Sequence, residues 1–439
     1  MHSFAKTYSV VGKIWNDVDS IETIRTEITY YQVGQNSIKG VFYGDEEVSE
    51  KLFRILRNNN YHFCGIWSSS QAAYNITFRF DHIFFNHYGS VSHETDKLCE
   101  FECFDLEIET NYSTPDHEEQ IKKLIIHYTI PQRNELVVPH APQEYKECHP
   151  DYKDWLEYET PLGIMKLQTS MHSCEMEMDS KQGTFLLAET GLSFEILVDG
   201  KDADDIIKQS KQIVEDYLDL TSFILRCETK YYKLSIDYYG SKSNHPIKNF
   251  LRLIKRPLVK QTRRYVLLNY SEIDNYLKKW MPVFINHRHK KYIHEALSMF
   301  LTGIQSEYPE VCLIVLHTVI EVIIYCLKKE KLLPAKNSNK KRISANEYLL
   351  RIISMYNIDI HDIYPSVNPK KSFPFITYRN NIMHGKREKS DYMITSILLY
   401  NELLRQQTLL ERLIIHWLGY DARKIEYLNW QGIKPYKCN

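Results

Sequence analysis

Several short motifs that identify common enzyme chemistries are missing from this sequence of 439 residues. It contains no G-x-x-x-x-G-K-[ST] loop for nucleotide phosphates, no G-x-S-x-G turn for a serine nucleophile and no glycine fingerprint for a dinucleotide. Their absence argues against a P-loop nucleoside triphosphatase, an α/β-hydrolase and a dinucleotide-dependent oxidoreductase.

The sequence also lacks the paired cysteine spacing of a zinc site. Two groups of possible ligands occur: His287, His289 and His294, and Cys99, Cys103, Cys148 and His149. Neither contains a C-x2-C pair, so we expect no metal ion and no cofactor. The nine cysteines are scattered, and the first residues form no apolar signal region. Both features favour reduced thiols and a cytoplasmic protein.

No uninterrupted apolar run is long enough to be a convincing membrane span. The longest run, Val311 to Leu327, contains His317 and Glu321 and is short for a helix that crosses a bilayer. It predicts a buried core helix and no association with a membrane.

Charge is distributed very unequally along the chain. Residues 1–240 contain 22 Lys+Arg and 40 Asp+Glu, whereas residues 241–439 contain 33 and 16. The net charges are therefore -18 and +17. A basic half of this kind favours a polyanionic partner such as RNA. The alternative is that acidic and basic surfaces face each other within one protein. Both interpretations apply if the acidic front half covers a nucleic-acid site in the basic half.

The periodicity of apolar residues also changes along the chain. In the first half it has period two, for example at Ile76, Phe78 and Phe80, which is typical of half-buried antiparallel strands. In the second half it has the period of a helix. Helical patterns are predicted over residues 203–225, near the end of the first half, and over residues 272–280, 293–303, 311–329, 345–356 and 391–418 in the second half.

The polar, turn-forming stretch 240–246 is the predicted domain boundary. We therefore predict an α+β protein with an antiparallel β-rich acidic domain at 1–240. A basic, all-α helical domain follows at 241–439.

Arginine followed closely by histidine could supply two groups that cleave RNA without a metal. A guanidinium is a permanent cation that holds phosphate in a fixed fork. An imidazole can take a proton from a ribose 2′-hydroxyl or give one to a leaving oxygen. Five such pairs occur: Arg57 and His62, Arg133 and His140, Arg288 and His294, Arg379 and His384, and Arg412 and His416.

The surrounding sequence favours Arg379 and His384. This pair lies between apolar helical segments, and Gly385 directly after it is a helix-ending signal. Asn380, four residues before the histidine, could orient its ring or a phosphate oxygen.

The other four pairs have simpler interpretations. The first is predicted to be a turn and the second a loop. The third could touch phosphate but lacks apolar residues to shape a pocket. The pair Arg412 and His416 is predicted to be a solvated polar stripe of the last long helix.

The segment R-N-x-x-x-H-G at 379–385 follows a helix with the pattern Leu-x-x-x-Ile-Glu that reaches Glu321. This combination resembles the HEPN superfamily. A β-rich front domain with a helical C-terminal domain is similar to the ApeA-like proteins of bacterial antiviral (abortive infection) systems. The motifs that carry the resemblance lie within about residues 310–420.

The resemblance implies a metal-independent endoribonuclease that acts as a homodimer and leaves a 2′,3′-cyclic phosphate and a 5′-hydroxyl. His384 would transfer protons, Arg379 would stabilise charge on the phosphorane, and Asn380 would assist. Glu321 would position Arg379, or would be a structural partner of another cation or of His317. The substrate would be RNA, possible examples being transfer and messenger RNA. The front domain would bind a phage-derived trigger.

Two other functions fit the same residues. One is a non-catalytic RNA- or nucleotide-binding protein in which Arg379 and His384 only hold phosphate. The other is an interaction scaffold whose front domain binds a carbohydrate or protein ligand. A few tyrosines of the basic half could stack on unpaired bases beside Arg264 or Lys291. They are Tyr265, Tyr270 and Tyr292.

Overall fold

The structure is a computed structural model that divides into two compact units. Unit 1 comprises Met1–Asn134, Val138–Val214 and Lys230–Leu258, and unit 2 comprises Glu135–Val137, Glu215–Thr229 and Val259–Asn439. The residues that the structure describes are 5–31, 38–57, 61–68, 74–80, 83–87, 97–112, 120–131, 155–178, 181–241, 244–254, 267, 273–287, 289–334, 343–367, 371–384, 396–419, 427–428 and 435–436.

Unit 1 is built on one antiparallel sheet of 14 strands. In chain order they are β1 (Ala5–Asn16), β2 (Ser20–Tyr31), β3 (Ile38–Tyr43), β4 (Tyr61–Ser68), β5 (Asn75–Phe80), β6 (Ile83–His87), β7 (Lys97–Cys103), β8 (Asp105–Asn111), β9 (Ile121–Ile130), β10 (Trp155–Thr160), β11 (Gly163–Met178), β12 (Lys181–Leu197), β13 (Lys233–Gly240) and β14 (Pro246–Ile254). Their order across the sheet is β10-β11-β12-β9-β13-β14-β8-β5-β4-β1-β2-β3-β7-β6.

The alternating pattern of the sequence corresponds to burial on one face of these strands. Ile76, Phe78 and Phe80 of β5 are buried while their neighbours are exposed or half-buried. Helix α1 (Glu46–Arg57) contributes Leu52 and Ile55 to the same apolar core. The predicted antiparallel sheet is confirmed.

Unit 2 is mainly helical. Its first helical segment is the C-terminal part of α2 (Ala203–Leu225). The helices that follow are α3 (Ile273–Ile285), α4 (Lys290–Gln305), α5 (Pro309–Lys329), α6 (Ala345–Met355), α7 (Pro374–Met383) and α8 (Ser396–Trp417). Two short strands, β15 (Tyr427–Leu428) and β16 (Pro435–Tyr436), pair with each other. The chain is therefore a mixed α+β protein, as predicted, with a large antiparallel sheet and a set of helices.

The predicted boundary at 240–246 lies inside the sheet. Strands β13 and β14 pair from Lys233 opposite Leu253 to Tyr239 opposite Pro246. The turn-forming residues therefore connect two strands of one hairpin, and unit 1 continues to Leu258. The second half of the chain is consequently not purely helical, since it begins with a strand.

Helix α5 has an exposed apolar side. It is long and apolar enough to cross a membrane by length and composition, a test that core helices of soluble proteins also pass, and just over half of its most apolar stretch is buried. Val311 and Tyr325 are exposed, and Ile314, Val315 and Val322 between them are half-buried. The spacing of these five residues places them along one side of the helix.

A buried ion pair joins two helical segments of unit 2. Arg226 follows the end of α2, and its Nε and Nη2 atoms donate to the two carboxylate oxygens of Glu411 in α8 at 2.7 and 2.8 Å. Both side chains are almost inaccessible to solvent. Arg226 has a φ of 50°, a left-handed backbone conformation in which glycine is less strained. An arginine at this position therefore indicates that pairing its guanidinium with Glu411 outweighs the backbone strain.

Removing one partner of this pair should destabilise unit 2 strongly. We expect Arg226→Met to lower the free energy of unfolding by about 3–5 kcal/mol, because Glu411 would remain as a buried, unpaired charge. Urea unfolding followed by far-UV circular dichroism measures the change. The control is Lys278→Met, which breaks an exposed ion pair with Asp274 within α3 and should cost less than about 0.5 kcal/mol. Equal effects of the two changes would contradict the prediction.

Candidate functional site

The helix that carries the Arg379 motif is fixed at its N-terminus by side chains from two other helices. Pro374 occupies the first turn of α7, a position that needs no N–H. The N–H of Phe373 donates to Asn346 Oδ1 of α6 at 3.1 Å, and the N–H of Phe375 donates to Glu402 Oε1 of α8 at 3.2 Å. The first turn of α7 therefore depends on two buried acceptors.

Glu402 is a carboxyl group in an unusually dry environment. Its Oε1 atom also accepts a hydrogen bond from the Tyr364 hydroxyl at 2.8 Å, and Arg405 Nη1 lies 3.7 Å from Oε2. Burial raises the pKa of Glu402, and the hydrogen bonds and Arg405 only partly oppose that shift. Burial beside this carboxylate also raises the pKa of Tyr364.

Arg379 and Glu321 come together as the motif predicted. Arg379 lies in the middle of α7, and its Nη2 atom is 3.5 Å from Glu321 Oε1 of α5. His317, one turn before Glu321 on α5, approaches the same oxygen with its Nε2 atom at 3.5 Å. Glu321 therefore contacts both partners considered for it, the arginine and the histidine.

His317 is held in its neutral form at this site. Burial lowers the pKa of His317, Glu321 acts against that shift, and the positive charge of Arg379 adds to it. Its Nδ1 atom is buried and has no hydrogen-bond partner among the described residues. A neutral imidazole can donate one hydrogen bond to Glu321 while Arg379 neutralises the carboxylate.

Asn380 contacts the arginine rather than the histidine. Arg379 Nη1 donates to Asn380 Oδ1 at 3.2 Å. No hydrogen bond joins the Asn380 amide to the His384 ring among the described residues, and the alternative that the amide orients a phosphate oxygen stays a prediction. Nη1 and Nη2 each carry a second N–H beyond these contacts, whereas Nε is buried and has no partner in the described part of the chain.

His384 is the C-cap residue of α7 and is exposed. Its backbone N–H donates to the Asn380 carbonyl at 3.0 Å, which closes the last turn of the helix. No hydrogen bond of its imidazole occurs among the described residues. Gly385, the predicted helix-ending residue, lies outside the described residues. The placement of the histidine at a helix end agrees with the prediction.

The other Arg and His pairs do not form comparable sites where the structure describes them. Arg412 is fully buried and donates to both carboxylate oxygens of Asp362 at 2.8 and 2.6 Å, so the predicted solvated stripe is wrong. His294 is held between Asp216 and Asp219, which raises the pKa of its imidazole to about 9. Arg57 ends α1, and His62 lies within β4. Arg133, His140 and Arg288 lie outside the described residues.

The groups that position α7 are not marked by any short sequence motif. Asn346, Tyr364 and Glu402 act through burial and hydrogen bonds, which no short motif encodes. One signal was present, because Glu402 and Glu411 lie in a helix whose apolar residues cover most of its circumference. Charged residues in such a helix require partners.

No group of three or more His, Cys, Asp or Glu residues is arranged to hold a metal ion in the described part of the chain. Cys148 and His149 of the second possible zinc set lie outside that part. Comparisons with protein-family models, with curated proteins and with solved structures found no match to this chain.

The charge on Glu402 should make stability depend on pH. The pKa of Glu402 is raised in the folded state. Its contribution to the free energy of unfolding is therefore fully present at pH values below its ordinary pKa of 4.5 and is lost as pH rises through the raised pKa. We expect Glu402→Gln, which keeps Oε1, to remove this loss. Urea unfolding of both proteins at pH 4.5 and at about neutral pH measures it.

Glu402→Ala is the matched comparison. It removes the acceptor of Phe375 and Tyr364 and should destabilise the protein at both pH values, by about 1–3 kcal/mol for each unsatisfied donor. A Gln variant as unstable as the Ala variant would show that the negative charge itself is required.

Proposed function

We propose that this protein is a metal-independent endoribonuclease of a bacterial antiphage abortive-infection system, with transfer RNA as one candidate substrate. The observation that carries the proposal is the arrangement on α7. Arg379 is held by Glu321 while its side chain stays 26% exposed, and His384 presents an exposed imidazole five residues later. A cation and a proton-transfer group are the minimum needed to cleave RNA.

Cleavage would proceed by attack of a ribose 2′-oxygen on the adjacent phosphorus. His384 takes the proton of that hydroxyl or gives a proton to the departing 5′-oxygen. The bond from phosphorus to the 5′-oxygen breaks, which leaves a 2′,3′-cyclic phosphate and a 5′-hydroxyl. Arg379 stabilises the charge that develops on the phosphorane, a kind of interaction worth several kcal/mol in enzymes.

Glu321 and Asn380 would act as positioning residues. Each contacts a different terminal nitrogen of Arg379, at 3.5 and 3.2 Å, and so limits the rotation of the guanidinium. A fixed guanidinium loses less entropy when phosphate binds. His317 supports the arrangement from the buried side of Glu321.

The resemblance to HEPN domains adds a second copy of this chain as a partner, bringing two motifs to one cleft. Ile382 and Met383, which directly precede His384, are 37% and 53% exposed. Exposed apolar side chains beside the motif fit contact with another protein surface. In the same proposal the acidic β-rich half binds a phage-derived trigger, and the protein acts in the cytoplasm without a membrane.

A phosphate-binding protein without cleavage is the second candidate. It is favoured by His384 itself, because no described side chain orients its ring as a general base is usually oriented. In that case Arg379 and His384 would hold RNA or a nucleotide, and no new RNA ends would form.

His384→Ala should abolish cleavage, since loss of an acid–base group typically costs about 10²- to 10⁴-fold in rate. The measurement is sequencing of RNA with 2′,3′-cyclic phosphate ends from bacterial cells that produce each protein, with and without phage. His361→Ala, at an exposed histidine, is the control. Ends formed equally by wild type and His384→Ala would refute the assignment. Their absence in all cultures would favour the binding protein.

Glu321→Gln should weaken the positioning of Arg379 and leave His384 intact. We expect cleavage by the purified protein to fall by up to about a hundredfold, because a misplaced group loses about that much. The comparison is Glu347→Gln, which removes an exposed contact with Arg351 on α6. Unchanged kcat/KM in Glu321→Gln would mean that the contact is only structural.

A further inference from the structure

An exposed aromatic cluster lies at the C-terminal end of α5. Tyr325 is 54% exposed, and its ring meets the ring of Tyr292 edge to face at 5.6 Å between centroids. Lys329 Nζ lies 3.4 Å from the Tyr292 hydroxyl and 5.4 Å from the centre of that ring. Tyr292 and Lys329 thus support Tyr325 from one side and leave much of its ring open to solvent.

The cluster is close to the candidate cleavage site along the same helix. Tyr325 comes four residues after Glu321, the residue that contacts Arg379. Four residues of an α-helix correspond to a rise of about 6 Å and nearly the same face. The ring of Tyr325 is therefore about one helical turn from the carboxylate that holds the arginine.

The charge around the cluster is positive. Lys328 and Lys329 occupy the last turn of α5, and Lys331 follows it. None of the three forms an ion pair with a carboxylate among the described residues. Glu330, the acidic residue between them, is engaged by His289. An exposed ring with a lysine beside it, here the Tyr325 cluster with Lys329, is a combination with which proteins bind single-stranded nucleic acid.

We propose that Tyr325 stacks on an unpaired base of the RNA substrate, next to the phosphate held by Arg379, while Lys329 contacts the backbone. The proposal rests on the cleavage site proposed above. It assigns a substrate class, because a base inside a duplex is covered by its neighbours and cannot reach the ring. Loops, bulges and single strands are therefore the RNA segments that this subsite accepts.

The subsite also revises the predicted stacking residues. Of the three tyrosines named from sequence, Tyr292 belongs to the cluster, where it supports Tyr325. Tyr265 and Tyr270, with Arg264, lie outside the described residues. Tyr325 was missed because it lies within an apolar run that predicts a core helix, and only burial shows that its ring is exposed.

The test measures binding of a short, fluorescently labelled single-stranded RNA by full-length protein carrying His384→Ala, which prevents cleavage. Fluorescence anisotropy is recorded for this protein and for the same protein with Tyr325→Ala, Tyr325→Trp or Tyr308→Ala. Tyr308 is an exposed tyrosine at the other end of α5, about 25 Å away by helix length, and is the matched control.

We expect Tyr325→Ala to weaken binding by about fivefold to a hundredfold, as for other base-stacking aromatics, and Tyr325→Trp and Tyr308→Ala to bind normally. The loss should disappear on a fully paired RNA. Lys329→Gln should lower the slope of log affinity against log salt by about one. In the protein that retains His384, Tyr325→Ala should raise KM for single-stranded RNA more than it lowers kcat.

Normal binding by Tyr325→Ala while the protein with His384 cleaves RNA would overturn the subsite and leave the proposed function standing. The reverse result, binding that depends on Tyr325 with no cleavage by the protein with His384, would support the subsite and refute the nuclease. An equal loss on paired and single-stranded RNA, or the absence of any RNA binding, would refute stacking on an unpaired base.

Discussion

The structure of unit 2 depends on providing partners for the charged and polar side chains that are buried inside it. Helix α8 buries several such side chains, namely Glu402, Gln406, Gln407, Glu411 and Arg412. An unpaired buried charge costs several kcal/mol, so each ionised group must meet a partner on another segment. Those partners include Arg226 after α2, Asp362 before α7 and the N-terminus of α7 itself. The helix therefore specifies the positions of its neighbours by charge as well as by apolar packing.

This constraint reaches the candidate site through α7. Glu402 and Asn346 fix the first turn of the helix, and Arg379 and His384 follow in its later turns. Phe375, the buried residue of this short helix, packs against the rings of Phe373, Tyr364 and His317. Hydrogen bonds also hold the N-terminus of the helix, and Glu321 contacts it near the middle. The partly exposed guanidinium of Arg379 and the exposed ring of His384 are thus presented by a helix whose N-terminus is held by buried acceptors.

Sequence periodicity predicted the class of fold because burial on one face repeats at fixed intervals, as at Ile76, Phe78 and Phe80 in β5. The resemblance to HEPN domains, and not periodicity, implied that Glu321 meets Arg379, with His317 as an alternative partner, and Glu321 contacts both. Prediction from sequence patterns failed where one local pattern is compatible with two structures. The turn formers at 240–246 could join domains or strands, and pairing of β13 with β14 decides for strands. Arg412 and His416 were predicted to be solvated because their spacing does not reveal that the arginine is buried and paired with Asp362.

The pairing of Arg226 with Glu411 has a consequence for biosynthesis. The two residues are 185 positions apart, so a growing chain exposes the arginine long before its carboxylate exists. The same holds for α7, whose N-terminus needs Glu402 from the helix that follows it. A nascent or truncated chain that ends before α8 lacks both carboxylates, Glu402 and Glu411, although it already contains Arg379 and His384. If the site cleaves cellular RNA, we expect such incomplete chains to cleave it less well, because the helix that carries the motif lacks one of the two acceptors at its N-terminus.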